Sequence, residues 1–170
     1  MEQFQKKEAK DFQVNPFRLI GDEWMLITAE KEGKVNTMTA AWGGLGVMWN
    51  REVACAVIRQ SRYTKEFIDS ADSFSLSFLD HAKYARELGY LGSVSGRDED
   101  KLKKAGLNIS YQDDVPYIAE ASKVLICEKL FAQTMNPDSF IVPEIDDRFY
   151  ADRDYHELYI GGITDILEKV

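Results

Sequence analysis

Short runs rich in β-branched and aromatic residues recur along this chain at close spacing, with no long amphipathic helix between them. Phe74–Leu79 (FSLSFL) alternates apolar residues with serine, the two-residue period of a half-buried strand. Met25–Lys31 (MLITAEK) leads through Glu32-Gly33, a hairpin turn signal, into Val35–Trp42 (VNTMTAAW). Val53–Arg59 (VACAVIR), Val124–Thr134 (VLICEKLFAQT) and Glu157–Leu167 (ELYIGGITDIL) add three further strand candidates. Helical patterns are confined to short stretches at 64–70, 82–90 and 98–105. The last begins with acids, carries lysines in its final turn and stops at Gly106, in keeping with the helix dipole. Residues 136–155, with their prolines, aromatics and acids, read as a long, partly ordered excursion of the kind that is usually functional or mobile. Strands at this spacing predict a mainly β protein with short helices, closed as an antiparallel barrel.

A chain of 170 residues has room for one such domain, expected over 14–170 behind an N-terminal arm at 1–13. At that size roughly 70% of the unfolded surface is buried, so no disulfide staple is needed. Two cysteines, Cys55 and Cys127, sit inside apolar strand-like runs, where a reduced thiol serves as a small hydrophobe. The balance of 21 basic against 29 acidic residues gives a net charge of -8. This argues against nucleic-acid or anionic-membrane partners, although a local basic pocket for one small phosphate is still allowed. The N-terminus MEQFQKKEAKDF has no apolar core for a signal peptide, and no run reaches the ~18 apolar residues of a membrane span. The expected compartment is the cytoplasm.

Three segments carry chemical potential. At Arg59-Gln60-Ser61-Arg62-Tyr63-Thr64 an apolar strand ends in two arginines and hydroxyl residues just as a helix begins, which is the make-up of an anion site. The plainer reading is a capped helix with solvated arginines. At Asn36–Gly44 (NTMTAAWGG), small residues and glycines let a ligand approach a strand edge, whose alternating donors and acceptors suit a flat heteroaromatic ring; it also reads as a strand entering a Gly-Gly turn. Ser95-Gly96-Arg97-Asp98 with Lys101 places a hydroxyl, a glycine and bases at a helix start, or simply caps a surface helix. Other sites fail. His81 and His156 are the only histidines, and neither pairs with a cysteine at zinc spacing. Gly43-Gly44-Leu45-Gly46 has the wrong spacing for a dinucleotide fingerprint, and there is no nucleophile elbow or P-loop.

In order and spacing, NTMTAAW at 36–42, RQSRYT at 59–64, SGRDEDK at 95–101 with AGL at 105–107, and DYHELYIGGI at 154–163 resemble the flavin reductase-like family, most closely its flavoredoxin branch. The resemblance runs from about residue 17 almost to the end. It implies an FMN-binding split β-barrel of antiparallel Greek-key type with FMN as cofactor. It implies that Asn36, Met38, Thr39, Ala40, Ala41 and Trp42 line the isoalloxazine ring. Arg59, Gln60, Ser61, Arg62 and Thr64 would hold the phosphate and ribityl chain, and Ser95, Gly96, Arg97 and Lys101 would reach the cofactor from a loop. His156 matches a position near the flavin or its substrate pocket, and also reads as a hydrogen-bonded histidine at a strand start. Many relatives carry consecutive prolines where this chain has Met48-Trp49-Asn50-Arg51-Glu52, so Trp49 either covers the flavin or fills the core. The implied activity is electron transfer through FMN, with NAD(P)H or a redox protein as donor or acceptor, in a homodimer. The alternatives are a non-catalytic FMN carrier or redox sensor, and a barrel of this kind holding haem. Hydride transfer to a flavin needs no protein acid or base, so the missing triad is no obstacle.

Overall fold

A computed structural model describes residues 3–170. Ten strands appear: β1 (Phe4–Lys7), β2 (Met25–Lys31), β3 (Lys34–Ala40), β4 (Gly43–Met48), β5 (Arg51–Arg59), β6 (Ser73–Phe78), β7 (Ile109–Gln112), β8 (Val115–Ile118), β9 (Lys123–Thr134) and β10 (His156–Lys169). Five short helices are interspersed: α1 (Pro16–Gly21), α2 (Tyr63–Ser70), α3 (His81–Ser93), α4 (Lys101–Ala105) and α5 (Pro143–Phe149). Every ladder is antiparallel.

The main sheet runs β3-β2-β6-β9-β10-β5-β4, with β1 paired to the far end of β10. Laid flat, its six gaps would separate the outer edges by about 29 Å. Yet β3 ends at Ala40 and β4 starts at Gly43, so Ala41 and Trp42 alone join those edges, a span of at most about 11 Å. The sheet must therefore curl until β3 and β4 meet. No ladder joins them, so the barrel is split along this seam.

Curling sorts the side chains. Met25, Ile27, Ala56, Ile58, Phe74, Leu76, Phe78, Leu125 and Tyr159 fill the interior together with α1 and α2 residues. A second core on the outer face packs Leu26, Val124, Ile126 and Leu167 against α3, α4 and the β7–β8 hairpin. This corrects the reading of FSLSFL as half-buried: the serine face is buried as well. The Ser75 hydroxyl donates to the Pro116 carbonyl at 2.6 Å, and Ser77 Oγ accepts from the Ile118 N–H at 3.1 Å. The serines thus satisfy backbone groups of a hairpin that the sequence reading left out.

Gly43 and Gly44 also differ from expectation. They lie inside β4 and form no turn. A Cβ on Gly43 would stand 2.3 Å from the Cys55 carbonyl, so close approach to β5 is what requires glycine. The turn comes later, at Trp49-Asn50, where both residues have positive φ (52° and 56°) as a two-residue hairpin demands. Trp49 is 56% exposed against Phe131 and does not fill the core. Part of the expected N-terminal arm is β1, and the 136–155 excursion carries α5. Cys55 and Cys127 are both free thiols, and burial pushes both thiols up in pKa. No helix among the described residues is long and apolar enough to cross a membrane.

Candidate functional site

The seam opens a cavity of about 270 Å³ lined by Met38, Thr39, Ala40, Ala41, Trp42, Val57, Arg59 and His156. Each wall follows from the strand pairing. The end of β3 and the Ala41-Trp42 link supply one side. Arg59 closes β5, and His156, which opens β10, is its direct partner across the ladder. Trp42 lies edge-on to Phe149 and tilted against His156, with centroids 5.4 and 5.1 Å apart.

His156 is buried, and Tyr150 Oη lies 2.7 Å from its Nδ1. Burial, aided by the Arg59 charge, lowers its pKa to about 4, so the imidazole is neutral at ordinary pH. Burial also raises the Tyr150 phenol.

Behind this cavity β5 gives way to α2 through Gln60-Ser61-Arg62. Arg62 is the α2 N-cap residue but makes no side-chain cap, and its N–H turns back to the Arg59 carbonyl at 3.1 Å. At this corner Ser61 donates its N–H to Asp154 Oδ1 at 3.1 Å and its hydroxyl to Asp154 Oδ2 at 2.5 Å. The corner is therefore competent to hold an oxyanion, and a carboxylate of the chain is the anion it holds. Arg59 sends Nη1 to the Asp154 carbonyl and Nη2 to the Phe149 carbonyl at 3.0 and 2.8 Å, pinning the end of the excursion. Gln60 Nε2 donates to Glu157.

The three expected segments converge here. Asn36 is buried on β3 and donates Nδ2 to Thr64 Oγ1 at 2.8 Å, tying the first segment to the second. Gly96 lies so close that a Cβ on it would sit 2.3 Å from Asn36 Oδ1. Arg97 stacks over the Tyr63 ring at 4.7 Å, donates to the Ser61 carbonyl at 3.2 Å and pairs with Glu66. Ser95 Oγ accepts from the Arg97 N–H. Thr39 Oγ1 donates to the Leu88 carbonyl at 2.6 Å, joining the seam to α3.

Two cations serve the end of α3. Arg62 Nη1 donates to the Gly92 carbonyl at 2.8 Å, and Lys101 Nζ to the Leu91 and Val94 carbonyls at 3.1 and 3.0 Å. Lys101 is 3% exposed; burial, with the Arg62 charge beside it, lowers its pKa to about 8. Burial lowers Arg62 too. Trp49, at the β4–β5 tip, is not among the cavity residues. Sequence reasoning missed Tyr150, Phe149 and the role of Asp154. Asp154 stood in plain view at the head of DYHELYIGGI, but nothing local shows that its carboxylate crosses to Ser61.

Similarity to known proteins fits this arrangement. Residues 17–169 match the family described as flavin reductase like domain. A protein of Aeropyrum pernix is 33% identical over 107 residues, which is 61% of this chain but 40% of that protein. The fold resembles an FMN-binding domain of a flavin reductases-like enzyme from Shewanella baltica OS155, with TM-score 0.71 and 20% identity over 98% of this chain and 78% of that one. It also resembles a flavoredoxin from Methanosarcina acetivorans, with TM-score 0.65 and 23% identity over 93% and 75%. With nine-tenths of its length matched, the chain belongs to the flavin reductase-like family.

Proposed function

We propose that this chain is an FMN-dependent oxidoreductase that takes electrons from NAD(P)H and passes them to free flavin or to a redox protein, working as a homodimer in the cytoplasm. The observation that carries the reading is two features that meet at Arg59: the seam cavity that Arg59 lines, with a strand edge along it, and the turn just after Arg59, where Ser61 already holds an oxyanion. Those donors fit the ring and the phosphate of FMN respectively. When bound, FMN supplies the electron-accepting chemistry.

The chain's own residues orient it and control water. Ala40, Ala41 and Trp42 offer backbone groups to the ring edge. Arg59, Arg62 and Arg97 stand around the α2 start, interleaved with Asp152, Asp154 and Glu66, and Lys101 lies beside Arg62 at the end of α3. Neutral His156, held by Tyr150, walls the cavity without adding a charge there. Trp42, half exposed at the seam, marks the side on which a nicotinamide could stack. The homodimer is supported by the exposed edge strand β4 and the turn after it, where Val47 (73% exposed), Met48 and Trp49 present apolar side chains.

Anaerobic mixing of the FMN-loaded protein with NADH or NADPH tests the reading. Bleaching of the flavin spectrum within seconds to minutes by either nucleotide is expected. If both leave it oxidised, the reductase reading is wrong and the carrier alternative gains.

A further inference from the structure

Asp154 occupies the corner where the reading above seats the flavin's phosphate. Both of its carboxylate oxygens are used, one on the Ser61 N–H and one on the Ser61 hydroxyl. Two oxygens on one N–H and one hydroxyl is also the arrangement a phosphate would adopt there. The carboxylate is held in place from behind. The Asp154 N–H donates to Asp152 Oδ1 at 3.1 Å, and its carbonyl accepts from Arg59. The preceding Arg153 takes a left-handed φ of 59°, a conformation that a non-glycine residue adopts when its surroundings impose it. Arg59 further approaches Asp152 at 3.5 Å, so the whole 152–154 loop is anchored on the end of β5.

A carboxylate and a phosphate dianion cannot share the Ser61 donors: both Asp154 oxygens already occupy the N–H and the hydroxyl, and like charges a few ångströms apart repel even where, as at exposed Ser61, water screens part of the interaction. One must leave when the other binds. The nearby cations attract whichever anion sits at the corner, but their donors are already committed within the protein: Arg59 to the Phe149 and Asp154 carbonyls, Arg62 to the Gly92 carbonyl, Arg97 to Glu66 and the Ser61 carbonyl.

We propose that Asp154 is a built-in competitor for the 5′-phosphate of the flavin at Ser61. It lowers the preference for FMN over riboflavin, and phosphate binding must turn its carboxylate away from Ser61. The inference rests on the flavin reading above and adds a specificity determinant to it. Riboflavin, which lacks the phosphate, fills the seam cavity without disturbing Asp154.

Equilibrium titrations of riboflavin and of FMN, followed by flavin fluorescence, test this in the wild type, Asp154→Asn and Asp154→Ala. Asn keeps the shape and can still accept from Ser61 while removing the charge. The expected result is an FMN dissociation constant at least about tenfold lower in Asp154→Asn, with riboflavin changed by less than about threefold. Asp154→Ala should move the same way; should it fail to fold, Asp154→Asn decides alone. An FMN constant that is unchanged or higher, or equal shifts for the two flavins, overturns the competitor role and leaves the flavin reading standing. Failure of wild type and variants to bind either flavin overturns both.

Discussion

His156 touches a phenol, an indole and the edge of an arginine's field, and burial decides its charge. Its pKa falls from 6.5 to about 4, so between those values the unfolded chain binds a proton that the folded chain refuses. The stability contributed by the neutral ring is therefore complete above pH 6.5 and is lost as pH falls toward 4. Urea unfolding of wild type and His156→Phe should give a stability difference that is flat above pH 6.5 and moves against the wild type below it. Imidazole carbon shifts in NMR should meanwhile report a neutral ring at pH 5.5. A normal titration near 6.5 would contradict the buried Tyr150–His156 pair. Asn36 and Lys101, in segments whose resemblance points to the cofactor, also tie the fold together, through Thr64 and through the carbonyls ending α3.

Among the elements, strand positions were legible wherever the residue pattern is local. β2, β3, β5, β6, β9 and β10 lie where β-branched and alternating runs placed them, shifted by a few residues at the ends. What was not legible depends on partners distant in the chain. The β7–β8 hairpin turns at Asp113-Asp114, both at positive φ, without the glycine that usually announces such a turn, and it carries Pro116 within a strand. Its strands are four residues each, and they are stable because they lie on the serine face of β6. Ser75→Ala should therefore behave unlike a surface serine. It leaves the buried Pro116 carbonyl without this donor and should lower unfolding free energy by about 1–3 kcal/mol in urea titrations. A change within about 0.5 kcal/mol would mean the serine face is effectively solvated. The Gly-Gly pair shows the same limit. Sequence marks both glycines as special, but only the register of β4 on β5 reveals that Gly43 meets a carbonyl at close quarters while Gly44 faces open space.

At the scale of the whole molecule, the site exists because a seven-strand path closes on itself without its last ladder. The gap between β3 and β4 exposes backbone along Ala40–Trp42, and the β5–α2 turn stands beside it, where Arg59, Arg62 and Arg97 alternate with the carboxylates of Asp152, Asp154 and Glu66. The motifs could be read individually in the sequence. Their convergence could not, because Asn36 meets Thr64, Ser61 meets Asp154 and Arg97 meets Ser61 across separations of 28, 93 and 36 residues. The most direct test is a crystal structure of the protein grown with FMN. The ring should lie in the seam between Ala40–Trp42 and His156, with phosphate oxygens on the Ser61 N–H and hydroxyl and the Asp154 carboxylate displaced. Flavin bound elsewhere on the molecule, or a seam and corner unchanged at saturating FMN, would contradict the account.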